Sequence, residues 1–182
     1  MFRVSQAQSA NVLVGNLLNF VIGDDVSATT SPTLLICYDG SDRAAHAVAV
    51  AGRLFPGANA MVLNVWEPIE RVVARYAALA PYLGEQIPEA DAGAKEESSK
   101  TAEEGVTQAQ RAGLVASAHT ATLDTTVWEA VLSAASETGA EVIVTGTRSL
   151  HGVREALTGT LSHALIQHSA VPVLAIPTHD EG

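Results

Sequence analysis

Short apolar runs alternate with longer amphipathic stretches along most of the chain. Thr33 to Cys37 is an apolar run that stops at Tyr38-Asp39-Gly40-Ser41, which predicts a buried strand ending in a turn. Ser41 or Asp42 can cap the helix that follows, whose apolar positions include Ala45, Val48, Ala49 and Leu54; Pro56-Gly57 ends it. Asn59 to Trp66 reads as a second strand centred on Val62, Leu63 and Val65. Beyond it the pattern loosens. Pro68, Pro81 and Pro88 interrupt residues 67–92, leaving room for a short helix over Val72 to Leu79. Ala94 to Arg111 carries a weak helical stripe of Ala102, Val106 and Ala109, with Gly113 placed to cap its end. Leu114 to Leu123 alternates weakly, as a third strand would.

The clearest helix is Thr126 to Thr138. Thr126 and Glu129 have the spacing of a capping box, Val127, Ala130, Val131, Ala134 and Ala135 mark one apolar face, and Gly139 stops it. Val142-Ile143-Val144 is a fourth strand that breaks at Thr145-Gly146 into a polar loop, which closes on Gly159-Thr160. Leu161, Ala164 and Leu165 then fall at helical spacing, and Val171 to Ile176 reads as the last strand. Pro172 suits an edge strand, yet Val171, Val173, Leu174 and Ile176 are too apolar for an edge left open to water.

The pattern predicts an α/β fold, a five-stranded and mainly parallel sheet with helices on both faces. The domain is expected over residues 32–178, preceded by a flexible extension, 1–31, and followed by a short tail, 179–182. The extension has an apolar stretch from Val12 to Ile22 and small residues at Val26-Ser27-Ala28. Its single preceding cation, Arg3, and the interruptions at Asn16 and Asn19 argue against a signal peptide. Ligands of parallel sheets sit beyond the carboxyl ends of the strands, at the topological switch point. Asp39, Val65 and Gly146 are expected at such ends in three strands, so they mark one rim.

Charge and composition narrow the function. The formal net charge is -10 and aromatics are 4 % of the 182 residues, which disfavours nucleic acid and anionic membrane as partners. The single cysteine, Cys37, excludes an internal disulfide and suits a reducing, cytoplasmic setting. It ends a buried strand and reads as a packed thiol. No apolar run reaches the ~20 residues of a membrane span. The P-loop, dinucleotide, G-x-S-x-G and H-E-x-x-H patterns are absent. No paired carboxylates or activated nucleophile emerge from spacing, so a binding protein is expected rather than an enzyme, with slow ATP hydrolysis as an alternative. Of the six histidines only His151 falls in the glycine-bearing loop.

That loop carries the main chemical signal. A strand, glycines that let backbone approach a ligand, and the free N–H groups of a helix N-terminus together form an anion site. From Gly146 to His168 the charged residues are Arg148, Arg154 and Glu155, a formal +1 in an acidic chain. Gly146, Ser149, Gly159 and Thr160 give the spacing G-x2-S-x9-G-T. It resembles the G-x2-G-x9-G-[S/T] loop of the ATP-binding branch of the universal stress protein family, with Ser149 in place of the second glycine. The run HALIQHSAVPVLAIP is similar to that family's last helix and strand. The resemblance covers Thr33 to Pro177, its middle matching only in pattern.

The resemblance implies a Rossmann-like fold of the adenine nucleotide alpha hydrolase-like kind, with ATP as ligand, Mg alongside it, and cyclic AMP as the alternative ligand. Cys37, Asp39 and Val65 would surround adenine. Arg148 and the backbone from Gly146 to Ser149, beside Thr145, would meet ribose and phosphate, and Gly159, Thr160, Leu161 and Ser162 would hold the phosphates. It also implies a homodimer through the last strand, Val171–Ile176. A ligand-free dimerisation module is the rival reading, kept open by Ser149: if that position needs φ > 0, serine costs on the order of 1 kcal/mol or shifts the loop.

Overall fold

The computed structural model describes residues 31–75, 87–148 and 161–178. All of them fall within one compact unit, Ser31–Gly182. The expected extension 1–31, apart from Ser31, and the tail 179–182 lie outside the described residues.

Strand β1 (Leu34–Cys37) leads through helix α1 (Asp42–Leu54) to β2 (Asn59–Trp66). Helices α2 (Ile69–Arg75) and α3 (Ile87–Arg111) precede β3 (Val115–Thr122), and α4 (Val127–Thr138) precedes β4 (Val142–Arg148). Helix α5 (Leu161–His168) and β5 (Val173–Thr178) complete the domain. The five strands form one sheet in the order β3-β2-β1-β4-β5, and every pairing is parallel. The expected "mainly parallel" sheet is thus wholly parallel.

Burial explains the arrangement. Leu34, Leu35 and Ile36 of β1 have no exposed surface, as a central strand covered on both faces requires. Leu34 and Ile36 pack with Ala44, Ala47, Val48 and Ala51 of α1 and Ala109 of α3. Leu35 packs on the other face with Val131, Ala134 and Ala135 of α4 and Leu165 of α5. The chain steps outward from β1 through β2 to β3, then returns past β1 to β4 and β5. Crossovers of one hand therefore put α1 and α3 on one face, α4 and α5 on the other. The switch point lies between β1 and β4.

Local signals act as the sequence suggests at α1 and α4. The Ser41 side chain accepts from the Ala44 N–H to cap α1. Thr126 and Glu129 make a reciprocal capping box, and Gly139 ends α4 in the left-handed conformation at φ 64°.

Four boundaries are corrected. The fourth strand does not break at Thr145-Gly146: it continues to Arg148, pairing Gly146 with Ile176 and Arg148 with Thr178. Gly146 is glycine because a Cβ there would meet the Arg43 carbonyl oxygen at 2.5 Å, so it serves helix packing. The last strand is Val173–Thr178, not Val171–Ile176. Ser169 holds the preceding turn, its hydroxyl donating to the Val171 carbonyl at 2.7 Å and accepting from the Val171 N–H at 3.1 Å. It is an edge strand, as Pro172 suggested. Helix α3 begins at Ile87, well before Ala94, with Pro88 in its first turn where a missing N–H costs nothing. The short helix is Ile69–Arg75, ahead of the expected Val72 to Leu79, of which residues 76–79 lie outside the described residues.

Candidate functional site

The carboxyl ends of β1, β2 and β4 meet at one rim. Cys37 pairs with Leu63, and Ile36 with Val144. Beyond these pairs β2 runs on through Val65 to Trp66 and β4 through Thr147 to Arg148, while Tyr38 and Asp39 follow the end of β1. Cys37, Val65 and Leu161 all pack against the cluster beneath α4 and α5. Of the sequence-predicted residues, Cys37, Val65 and Leu161 thus come together on the face covered by α4 and α5, whereas Gly146 lies against Arg43 of α1 on the other face.

Each side chain has its own constraint. Asp39 is exposed, and one carboxylate oxygen accepts from the Ser41 N–H at 3.0 Å and the Ser41 hydroxyl at 2.5 Å. Gly40 turns the chain with φ 78°, a conformation that glycine adopts without strain. Asp39 therefore shapes the turn that starts α1. The Cys37 thiol is pushed up to about 12, by desolvation first and by the Asp39 charge second. It is a neutral, weakly nucleophilic wall at ordinary pH, in agreement with the packed-thiol reading.

On β4, Thr145 is buried and its hydroxyl turns to the Gly146 carbonyl at 3.3 Å. Thr147 lies 3.4 Å, hydroxyl to hydroxyl, from Ser162 in the first turn of α5, a buried serine. This contact ties the helix N-terminus to the end of β4 at the switch point. The sequence points to Thr147 only through the Gly146 to Ser149 backbone, not through its hydroxyl. Continuing the period of two from Ile143 through Thr145 would have found it, had Gly146 not read as a strand breaker. The backbone of Arg148 pairs with Thr178. Ser149, Gly159 and Thr160, like His151, lie outside the described residues.

A wall beside the rim comes from α2 and α3. Asp91 of α3 accepts from the Ile69 N–H at 2.6 Å, holding the start of α2. The Arg71 guanidinium donates to the Thr125 carbonyl at 3.1 Å, just ahead of α4, and Glu67 pairs with both Arg71 and Arg75. On the opposite helical layer Trp128 of α4 stacks on His168 of α5, ring centroids 4.6 Å apart. Among the described residues no three His, Cys, Asp or Glu side chains gather to hold a metal ion, and no helix is long and apolar enough to cross a membrane.

Comparison with known proteins accords with this geometry. A family model described as the universal stress protein family matches residues 31–177. A Thermus aquaticus protein described as a universal stress protein in the QAH/OAS sulfhydrylase 3' region is 32 % identical over 146 residues, 79 % of this chain and 97 % of its own length. A solved universal stress protein in complex with cAMP superposes with a TM-score of 0.58 at 18 % identity, over 83 % of this chain and all of its own. One from Archaeoglobus fulgidus in complex with dAMP gives a TM-score of 0.52, also at 18 % identity, over 80 % of this chain and 96 % of its own. At those identities the two structures share the fold.

Proposed function

The chain belongs to the universal stress protein family, and from that premise we propose that it is a homodimeric adenine-nucleotide-binding module of a stress response, with ATP as its ligand. The observation that carries this reading is the convergence of Cys37, Val65 and Leu161 on one cluster beside the switch point, with Ser162 at a helix N-terminus against Thr147 of β4. That is where parallel sheets bind ligands, and an N-terminus favours an anion. Structures of this fold are described in complex with cAMP and with dAMP, which supports adenine as the shared element.

In this reading Cys37, Asp39 and Val65 take the base. Arg148 and the backbone of Thr145, Gly146 and Ser149 take ribose and phosphate, with Thr147 adding a hydroxyl. Gly159, Thr160, Leu161 and Ser162 hold the phosphates, and Mg enters with ATP. Ser149 lowers affinity relative to a glycine without abolishing binding. The protein works by binding rather than turnover, in the cytoplasm. The domain spans 32–178, with 1–31 and 179–182 as appendages. The edge strand β5 presents Val173, Leu174 and Ala175 only half-buried, and pairing with its copy across a two-fold axis covers them.

Mass spectrometry of the denatured protein for co-purified nucleotide, followed by calorimetric titration with ATP and cyclic AMP, tests this. Saturable binding supports the reading, and silence toward both ligands overturns it. A second reading is favoured by two specific observations: the Asp39 carboxylate already serves Ser41, and Gly146 already serves Arg43. It makes the chain a ligand-free dimerisation module, and an intact dimer without nucleotide affinity is its signature.

A further inference from the structure

Tyr38, the residue between β1 and the Asp39 turn, is held at every polar atom it has. Its N–H donates to the Leu63 carbonyl at 2.8 Å. Its carbonyl accepts from the Asn64 side-chain amide at 2.8 Å. Its phenol oxygen accepts from the Gln108 amide of α3 at 2.8 Å, and the side chain is buried. Gly105 of α3 lies so close that a Cβ there would meet the ring at 2.8 Å. Asn64 is itself oriented from α3, because the buried Ser98 hydroxyl donates to its amide oxygen at 2.7 Å.

The strand ladder of β1 ends at Cys37. The Asn64 amide therefore supplies one further cross-strand link, on the last carbonyl before Asp39. The Tyr38 carbonyl, which can only accept, selects the NH2 end of the Asn64 amide, and the Ser98 hydroxyl holds that amide in place by donating to Oδ1. We propose that Asn64, set by Ser98, is a positioning residue that fixes the height and direction of the Asp39 turn at the rim. It acts on the base-binding end of the site, so this inference rests on the nucleotide reading above. The same rigid turn would present Asp39 to adenine with little ordering left to complete on binding.

Two measurements on full-length protein separate this inference from the reading it rests on. The first needs no ligand. Hydrogen exchange of the Ser41 amide, held by Asp39, should quicken roughly fivefold to tenfold in Asn64→Ala and less in Ser98→Ala, the loss of about one hydrogen bond. The second is calorimetry with AMP, ADP and ATP, well below the melting temperature. Asn64→Ala should weaken all three by the same factor, roughly fivefold to tenfold, because the base end is common to them. A merely structural role would lower the melting temperature and leave both readouts of the folded protein unmoved, and that result overturns the inference. If wild-type protein binds no nucleotide while Ser41 exchange still quickens in the variants, the nucleotide reading fails and the positioning role stands. Should Asn64→Ala not fold, Ser98→Ala carries both tests: unchanged exchange and unchanged affinity in it overturn the inference.

Discussion

Replacing Gly146 with alanine separates packing from ligand approach as the reason for that glycine. An added Cβ would lie 2.5 Å from the Arg43 carbonyl oxygen and 2.8 Å from its carbon. Both atoms are backbone, so neither can rotate away. Restoring an ordinary 3.4 Å contact requires the first turn of α1 and β4 to separate by about 0.9 Å. Overpacking of this kind costs about 1–3 kcal/mol. With a urea dependence of about 1–3 kcal/mol/M, the unfolding midpoint should fall by roughly 1 M with an unchanged slope. The displaced turn carries Ser41 and, through it, the Asp39 carboxylate, so nucleotide affinity should fall as well. Gly52→Ala is the matched control. Its Cβ would meet the Ala112 carbonyl oxygen at 2.3 Å, yet Gly52 lies nine residues further along α1, about 13.5 Å from Arg43. It should lose similar stability and keep full affinity. A Gly146→Ala protein as stable as wild type would refute the packing account.

Other outcomes follow from the same contacts. Burial and Asp39 raise the Cys37 thiol from an ordinary 9.0 to about 12. Its contribution to stability is therefore complete below pH 9 and is lost as pH climbs toward 12. Urea midpoints at pH 8 and pH 10.5 should diverge more in wild type than in Cys37→Ala, and parallel slopes would contradict this. Thr126→Ala removes the hydroxyl that accepts from the Glu129 N–H and should cost about 1 kcal/mol in chemical denaturation. If position 149 needs φ > 0, Ser149→Gly should tighten ATP by roughly fivefold in calorimetry, the equivalent of about 1 kcal/mol; equal affinities would dismiss the serine penalty. Light scattering at micromolar concentration should give the mass of a dimer, and a monomeric mass would remove the role assigned to β5.

The sequence disclosed what depends on neighbours along the chain. Thr126 and Glu129 announce their helix because a capping box spans three residues, and Asn59 to Trp66 announces its strand through its own side chains. What it withheld depends on distant contacts. Gly146 reads as a strand breaker until Arg43 is seen against it. The start of α3 reads as loop because proline in a first turn and proline in a linker look alike. Nothing along the chain shows that the Asp39 carboxylate accepts from both the N–H and the hydroxyl of Ser41. Asn64 reads only as a polar interruption of an apolar strand. Nothing along the chain announces that Ser98, 34 residues away, holds its amide oxygen while its NH2 group meets Tyr38.

The position of β1 in the middle of the sheet has a consequence for how the chain is made. One side of β1 pairs with β2, which follows it closely, but the other waits for β4, with Leu34 opposite Val142. At about 5–20 residues per second, ribosomes need roughly 5–20 s to synthesise the intervening chain. Throughout that time the nascent protein displays one unpaired edge of its most apolar strand. Such an edge is a template for association with other chains. The hazard to this protein therefore falls during its synthesis, before β4 emerges, and a chaperone that shields β1 in that interval would protect it more than any later rescue.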